Sequence, residues 1–152
     1  MNLRDLLTAD RVATNVKVDN WEDAVRAVGR LMVDTGAVEE RYIDGMIRTA
    51  KELGPYIVIA PGVALPHSRP EDGVLQPCLA FLTLDPPIDF GNADNDPVQL
   101  VIAFGTVDSQ QHVDALRELA NILSEPSSIE MLRAAKTKQE ILDVMWSAPT
   151  AE

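Results

Sequence analysis

The sequence predicts an α/β protein: a single mixed β-sheet flanked by helices on both faces. Three observations carry this. The N-terminal third sets one alternating, half-buried strand ahead of two amphipathic helices. The middle third holds three or four short apolar runs separated by proline- and glycine-containing breaks. The last third is helical by both period and capping signals. Strands that follow one another so closely cannot all run parallel, because a parallel crossover needs a dozen or more residues. Continuous apolar runs are buried on both faces and require cover on both.

In chain order, residues 2–7 read as a short helix. From Arg11 to Val18 the apolar positions Val12, Val16 and Val18 alternate with polar neighbours, the period of a half-buried strand. Asn20 is placed to cap a helix whose apolar residues Trp21, Ala24, Val25, Val28, Leu31 and Met32 recur at helical spacing, and Gly36 closes it. A second helix is expected from Glu39 to Leu53, with Tyr42, Ile43, Met46 and Ile47 inward and Gly54-Pro55 as its stop.

Tyr56 to Ala60 is an uninterrupted apolar run between two prolines and reads as a fully buried strand. Val63 to Leu65 is a shorter apolar stretch. Pro77 to Leu84 reads as a strand stopped by Asp85-Pro86-Pro87. Phe90 to Asp96 is a turn-rich loop, and Pro97 to Phe104 is again strand-like. Ser109 is the expected N-cap of a helix carrying Val113, Leu116, Leu119, Ala120, Ile122 and Leu123. Ser127-x-x-Glu130 and Thr137-x-x-Glu140 both have capping-box spacing and open two further helices, the last ending near Trp146. No repeat or linker interrupts the pattern. The expectation is one domain over residues 1–147 and a short polar tail at 148–152.

Bulk properties narrow the function. The 152 residues suit one core, and 46% hydrophobic with 24% charged is ordinary globular composition. With 24 acidic against 13 basic residues the net charge is −11, which disfavours nucleic acid and anionic lipid as partners. The lone Cys78 sits in an apolar run, cannot form an internal disulfide and reads as a core residue of a reducing compartment. No apolar stretch is long enough to span a bilayer, and residues 1–10 lack the apolar centre of a signal peptide. The expectation is a cytoplasmic protein without direct membrane insertion.

The chain has only two histidines, His67 and His112. His67 lies in Pro61-Gly62-Val63-Ala64-Leu65-Pro66-His67-Ser68-Arg69-Pro70, where three prolines restrict the backbone and present one imidazole on a stiff segment. From the residues alone it is as well a surface histidine in a proline-rich turn as a group that handles protons or phosphoryl groups. His112 falls in the first turn of a helix, where backbone amides favour anions, although a solvated first-turn residue is an equally ordinary reading. Two histidines with no second cysteine make a poor zinc set, and Asp94, Asp96 and Asp108 match no calcium loop. Neither a Gly-x-Ser-x-Gly elbow, a Walker loop nor a dinucleotide fingerprint occurs.

Gly62-Val63-Ala64-Leu65-Pro66-His67 resembles the active-site motif of the mannitol/fructose-type enzyme IIA family of bacterial sugar phosphotransferase systems. Arg48, in Met46-Ile47-Arg48, stands where that family has an arginine upstream of its active histidine. His112, opening a helix that reads His-Val-Asp-Ala-Leu-Arg-Glu-Leu-Ala, matches the family's second histidine. The resemblance runs from the first helix to about Trp146. Leu53 to Gly62, Phe90-Gly91 and Asn95-Asp96-Pro97-Val98 look like the ascorbate-specific branch. Ser68, where mannitol and fructose members usually have glycine, favours the same branch over the nitrogen-regulatory one.

The resemblance implies a phosphoryl carrier. The phosphocarrier protein HPr would deliver a phosphoryl group to Nε2 of His67. Phosphohistidine would then donate to a cysteine of enzyme IIB, while membrane enzyme IIC moves the sugar. His112 would stabilise the phosphoryl oxygens, and Arg48 would either pair with them or orient a neighbouring carboxylate. No metal or cofactor is required, since the donor is itself a phosphoramidate. A regulatory protein of the same family, controlling a partner through its phosphorylation state, is the alternative.

Overall fold

The computed structural model describes residues 3–147. After a short helix α1 (Leu3–Leu6), a 3-10 turn leads into strand β1 (Val12–Val16). Two long helices follow, α2 (Trp21–Asp34) and α3 (Arg41–Leu53). Strands β2 (Val58–Ala60), β3 (Val63–Ala64), β4 (Cys78–Ile88) and β5 (Val98–Gly105) fill the middle of the chain. Helices α4 (Ser109–Leu123), α5 (Pro126–Ala134) and α6 (Lys138–Ser147) complete it. The expected tail at 148–152 lies outside the described residues.

The five strands form one sheet in the order β1-β4-β5-β3-β2. β1 runs parallel to β4 and β3 parallel to β5, while β4–β5 and β2–β3 are antiparallel. The sheet is therefore mixed, as expected from the strand spacing. Successive side chains of a strand point to opposite faces, and this sorts the core into two layers. Ala80, Leu82, Val101 and Ala103 pack with Val25, Val28, Met32, Tyr42 and Met46 of α2 and α3. Leu79, Phe81, Leu100, Ile102 and Phe104 pack on the other face with Leu119, Ile122, Leu132, Ile141 and Met145 of α4, α5 and α6. Cys78 is buried as expected, and burial pushes its thiol up to about 11.

Several local expectations are realised. The Asn20 side chain accepts from the Asp23 amide at 2.8 Å. Gly36 takes φ 76° just beyond α2, with its amide on Val33 O and the Ala37 amide on Met32 O. Thr137 caps α6, its hydroxyl accepting from the Glu140 amide, while the Glu140 carboxylate accepts from the Thr137 hydroxyl and from the Lys136 amide, one residue before the amide a full capping box would use.

Other expectations are corrected. Tyr56 to Ala60 is not a fully buried strand. Residues 54–57 form a 3-10 turn, Tyr56 is 79% and Ile59 47% exposed, and β2 lies at the sheet edge with only one partner. Asp85-Pro86-Pro87 does not stop β4, which continues to Ile88. The prolines occupy an exposed stretch where the register with β5 is interrupted, so no ladder amide is missed. Asp108, not Ser109, caps α4, accepting from the Gln111 amide at 2.8 Å. Ser127 caps nothing: Pro126 starts α5 one residue earlier and puts Ser127 inside the helix.

Candidate phosphoryl-transfer site

The sheet brings His67 and His112 together. β3 pairs with β5 through Val63–Leu100 and Ala64–Val101, and His67 bridges to Phe104 in the same register. His67 thus extends the β3–β5 ladder, reaching the end of β5 where the chain turns into α4. The first turn of α4 carries His112 to the same place.

Three rings meet there. His67 stacks on Phe104, with centroids 5.0 Å apart and planes 17° from parallel. His112 stands edge-on to His67 at 5.6 Å and packs against Phe104 at 5.1 Å. Phe104 is buried and acts as the floor beneath both imidazoles.

His67 Nδ1 lies 2.9 Å from the Leu65 carbonyl oxygen. A carbonyl can only accept, so Nδ1 carries a proton, and in the neutral ring the lone pair falls on Nε2. The acceptor that fixes the tautomer is a backbone group two residues upstream. His112 is held below the ordinary histidine value, first by burial and second by the charge of His67. Its ring is therefore neutral near pH 7 and offers an N–H as a hydrogen-bond donor.

The segment around His67 is clamped from α3. The buried Tyr42 hydroxyl donates to Phe104 O at 2.8 Å and accepts from the Ser68 amide at 3.0 Å, with Ser68 O at 3.2 Å. Burial pushes Tyr42 above the ordinary phenol range, so the hydroxyl keeps its proton. One group thus ties the residue after His67 to the residue beneath it. Ser68 in turn donates to Asp72, and Thr49 lies 3.3 Å from the Ser68 hydroxyl. Gly45 of α3 permits this approach: a Cβ there would meet Ser68 Oγ at 3.0 Å and Asp72 Cβ at 3.2 Å.

Arg48 does not line the cleft. Its guanidinium donates to Asp72 at 3.0 Å, which is the carboxylate-orienting arrangement of the two that the sequence left open. The Ser68 hydroxyl first, and the Arg48 charge next among the favourable contacts, hold Asp72 below the usual carboxylate range.

The histidines open into a cleft of about 680 Å³ lined by Thr49, Glu52 and Leu53 of α3, the loop 67–71, and Val107, Asp108, Ser109, His112 and Val113 around the start of α4. Leu53, Val107 and Val113 are exposed apolar residues at this mouth. Sequence reasoning identified both histidines but missed the Leu65 carbonyl, Phe104 and Tyr42 around them. Among the described residues no cluster of three or more metal-ligating side chains occurs, and no helix is long and apolar enough to cross a membrane.

Relatives share this architecture. The ascorbate-specific phosphotransferase EIIA component of Shigella boydii is 36% identical over 147 residues, covering 95% of this chain and 96% of that protein. The solution structure of a mannitol-specific cryptic phosphotransferase enzyme IIA from Escherichia coli superposes with a TM-score of 0.86 at 27% identity, covering 96% and 99% of the two chains. A mannitol enzyme IIA from Escherichia coli, solved in complex with its phosphorylated enzyme IIB, superposes at 0.80 with 27% identity over 91% and 96%. The family model for the phosphoenolpyruvate-dependent sugar phosphotransferase system, EIIA 2, matches residues 5–147. With its two histidines on one aromatic floor and a match over nearly its whole length, this chain belongs to that EIIA family.

Proposed function

We propose that the protein accepts a phosphoryl group from phospho-HPr on Nε2 of His67 and passes it to a cysteine of an enzyme IIB, feeding sugar uptake through membrane enzyme IIC. The observation that carries this is the Nδ1–H bond of His67 to Leu65 O. In the neutral ring it assigns the lone pair to Nε2, on a residue that lines the cleft beside His112.

The chemistry asks for little else. The group in transit is close to metaphosphate, so catalysis is mainly positioning and charge stabilisation. The Phe104 floor fixes the plane of His67, and the Leu65 carbonyl fixes its tautomer. His112, at the N-terminal end of α4, donates to the phosphoryl oxygens with help from the helix amides. Arg48 acts at one remove, orienting Asp72 and through it Ser68. The donor is a phosphoramidate, so this scheme uses no metal or cofactor. An ascorbate-like sugar is the favoured substrate, on the likeness to ascorbate-specific relatives and the Ser68 position. The enzyme IIB of the complexed relative is the model for the acceptor partner.

The test is labelling with phosphoenolpyruvate, enzyme I and HPr. The wild type takes an acid-labile, base-stable label, His67→Ala takes none while keeping its melting profile, and the label moves fastest to an ascorbate-type enzyme IIB within a panel. Stoichiometric labelling of His67→Ala would sink the proposal.

A further inference from the structure

We propose that Arg69 is the guanidinium that binds the oxygens of the phosphoryl group in the His67–His112 cleft, an assignment that rests on the phosphoryl-carrier function above. The argument begins with charge. The residues lining the cleft include three carboxylates, Glu52, Glu71 and Asp108, in a chain of net charge −11. A phosphoryl group bears about −1.5 to −2, and this rim repels it. Neither histidine offsets that repulsion before transfer. His67 attacks as a neutral ring, and His112 is held neutral by burial and by His67.

Among the described residues, Arg69 is the one lysine or arginine that lines the cleft. The neighbouring basic residues are committed elsewhere. Arg48 is paired with Asp72, Arg41 with Glu39 and with the Glu71 carbonyl, and Lys51 stands 3.9 Å from Glu22. Arg69 forms no ion pair with any described residue, and it is exposed. Its backbone is nonetheless fixed. Arg69 is extended at φ −79° and ψ 151°, flanks a 3-10 turn opened by Pro70, and its carbonyl accepts from the Asp72 amide at 3.0 Å. The Ser68 amide beside it is held by Tyr42. A long, free guanidinium on an anchored backbone two residues from the nucleophile is suited to close on an incoming group. Its planar fork matches two phosphoryl oxygens, where an ammonium offers only a point charge.

The step balances without a co-reactant. The Nε2 lone pair of His67 forms the new N–P bond, and the electron pair of the breaking N–P bond returns to the donor imidazole. The Nδ1 proton of His67 stays on the bond to Leu65 O. Arg69 exchanges no proton and stabilises charge on the oxygens throughout.

The experiment is rapid-quench transfer from phospho-HPr to the full chain, comparing wild type, Arg69→Ala, Arg69→Lys and Arg26→Ala. The last removes the same charge from the exposed Arg26–Asp23 pair on α2 and controls for net charge. Arg69→Ala is expected to lower kcat about 10- to 100-fold, in the range for loss of one preorganised donor. KM for phospho-HPr and the melting temperature should hold, Arg69→Lys should recover part of kcat, and Arg26→Ala should behave as wild type. A wild-type kcat in Arg69→Ala, a loss confined to KM, or an equal loss in Arg26→Ala each overturns the assignment while leaving the carrier function standing. A wild-type chain that takes no label overturns that function and this assignment together.

Discussion

His67 and Phe104 are stacked, 17° from parallel, because they are also paired in the sheet. The backbone bridge that extends the β3–β5 ladder sets the imidazole directly over the phenyl ring. The plane of the His67 ring is thus an outcome of strand register. Phe104→Leu keeps an apolar floor but removes the flat surface. Rapid-quench transfer should slow about 10- to 100-fold, the scale of an error of about 1 Å in placement. Thermal melting should register a loss of only about 1 kcal/mol.

Tyr42 makes a second demand on the same two segments. Tyr42→Phe leaves the Ser68 amide without its hydroxyl acceptor and the Phe104 carbonyl without its hydroxyl donor in a buried setting. A cost of about 1–3 kcal/mol is expected, read as a lower urea midpoint with an unchanged slope. Amide exchange at Ser68 should rise above that of α2 in the same variant.

His112 gives a pH signature. Burial, then His67, lower its pKa from 6.5. The folded chain therefore binds fewer protons at this site than the unfolded chain does. Its contribution to stability is fully present above pH 6.5 and is lost as pH falls through the lower folded value. An NMR titration should place His112 below 6.5, and His67→Ala should move it only part of the way back, because burial is the larger cause. His112→Ala should slow transfer about 10- to 1000-fold with little change in melting, and His112→Gln, which still donates, should lie between. Wild-type rates in His112→Ala would remove it from the reaction.

The mouth of the cleft should serve both partners in turn. Val113 is 48% exposed, next to His112 and on the same rim as Leu53 and Val107. Val113→Asp should raise KM for phospho-HPr and for enzyme IIB alike, each about tenfold for a loss of about 1.4 kcal/mol, with stability unchanged. A change toward one partner alone would separate their surfaces.

What the sequence made legible was local. Asn20 and the Thr137–Glu140 pair announce helix starts because their partners lie within three residues. The two-sided burial of β4 and β5 follows from their unbroken apolar runs. Tyr56 to Ala60 misled for the converse reason: an apolar run carries no mark of whether its strand is central or at an edge, and only the sheet order puts β2 outermost. Ser127-x-x-Glu130 had the right spacing, but the proline before it fixed the helix start first. At the site, the two histidines stood out by scarcity and motif. The Leu65 carbonyl had no signature, because every residue has one. Phe104 and Tyr42 looked like any other core aromatics, since their roles depend on the pairing of distant strands and on a hydroxyl crossing from α3. The proposed part of Arg69 has no mark in the sequence either, because it rests on the neighbouring basic residues being paired elsewhere.

The bond from His67 Nδ1 to Leu65 O spans three consecutive residues, and this bears on the direction of traffic. A lock so short is closed before any partner arrives and needs no partner to keep it closed. The nitrogen that attacks a donor is then the same, in basicity and orientation, as the nitrogen that leaves when an acceptor takes the group. On the proposed function this lock by itself favours neither arrival nor departure, so the exchange should run both ways, with the overall equilibrium from donor to acceptor set by the two partner residues. Net flow then belongs to the supply of phosphorylated donor and the draw of the acceptor, and back-transfer to unphosphorylated HPr should be measurable whenever the enzyme IIB is withheld.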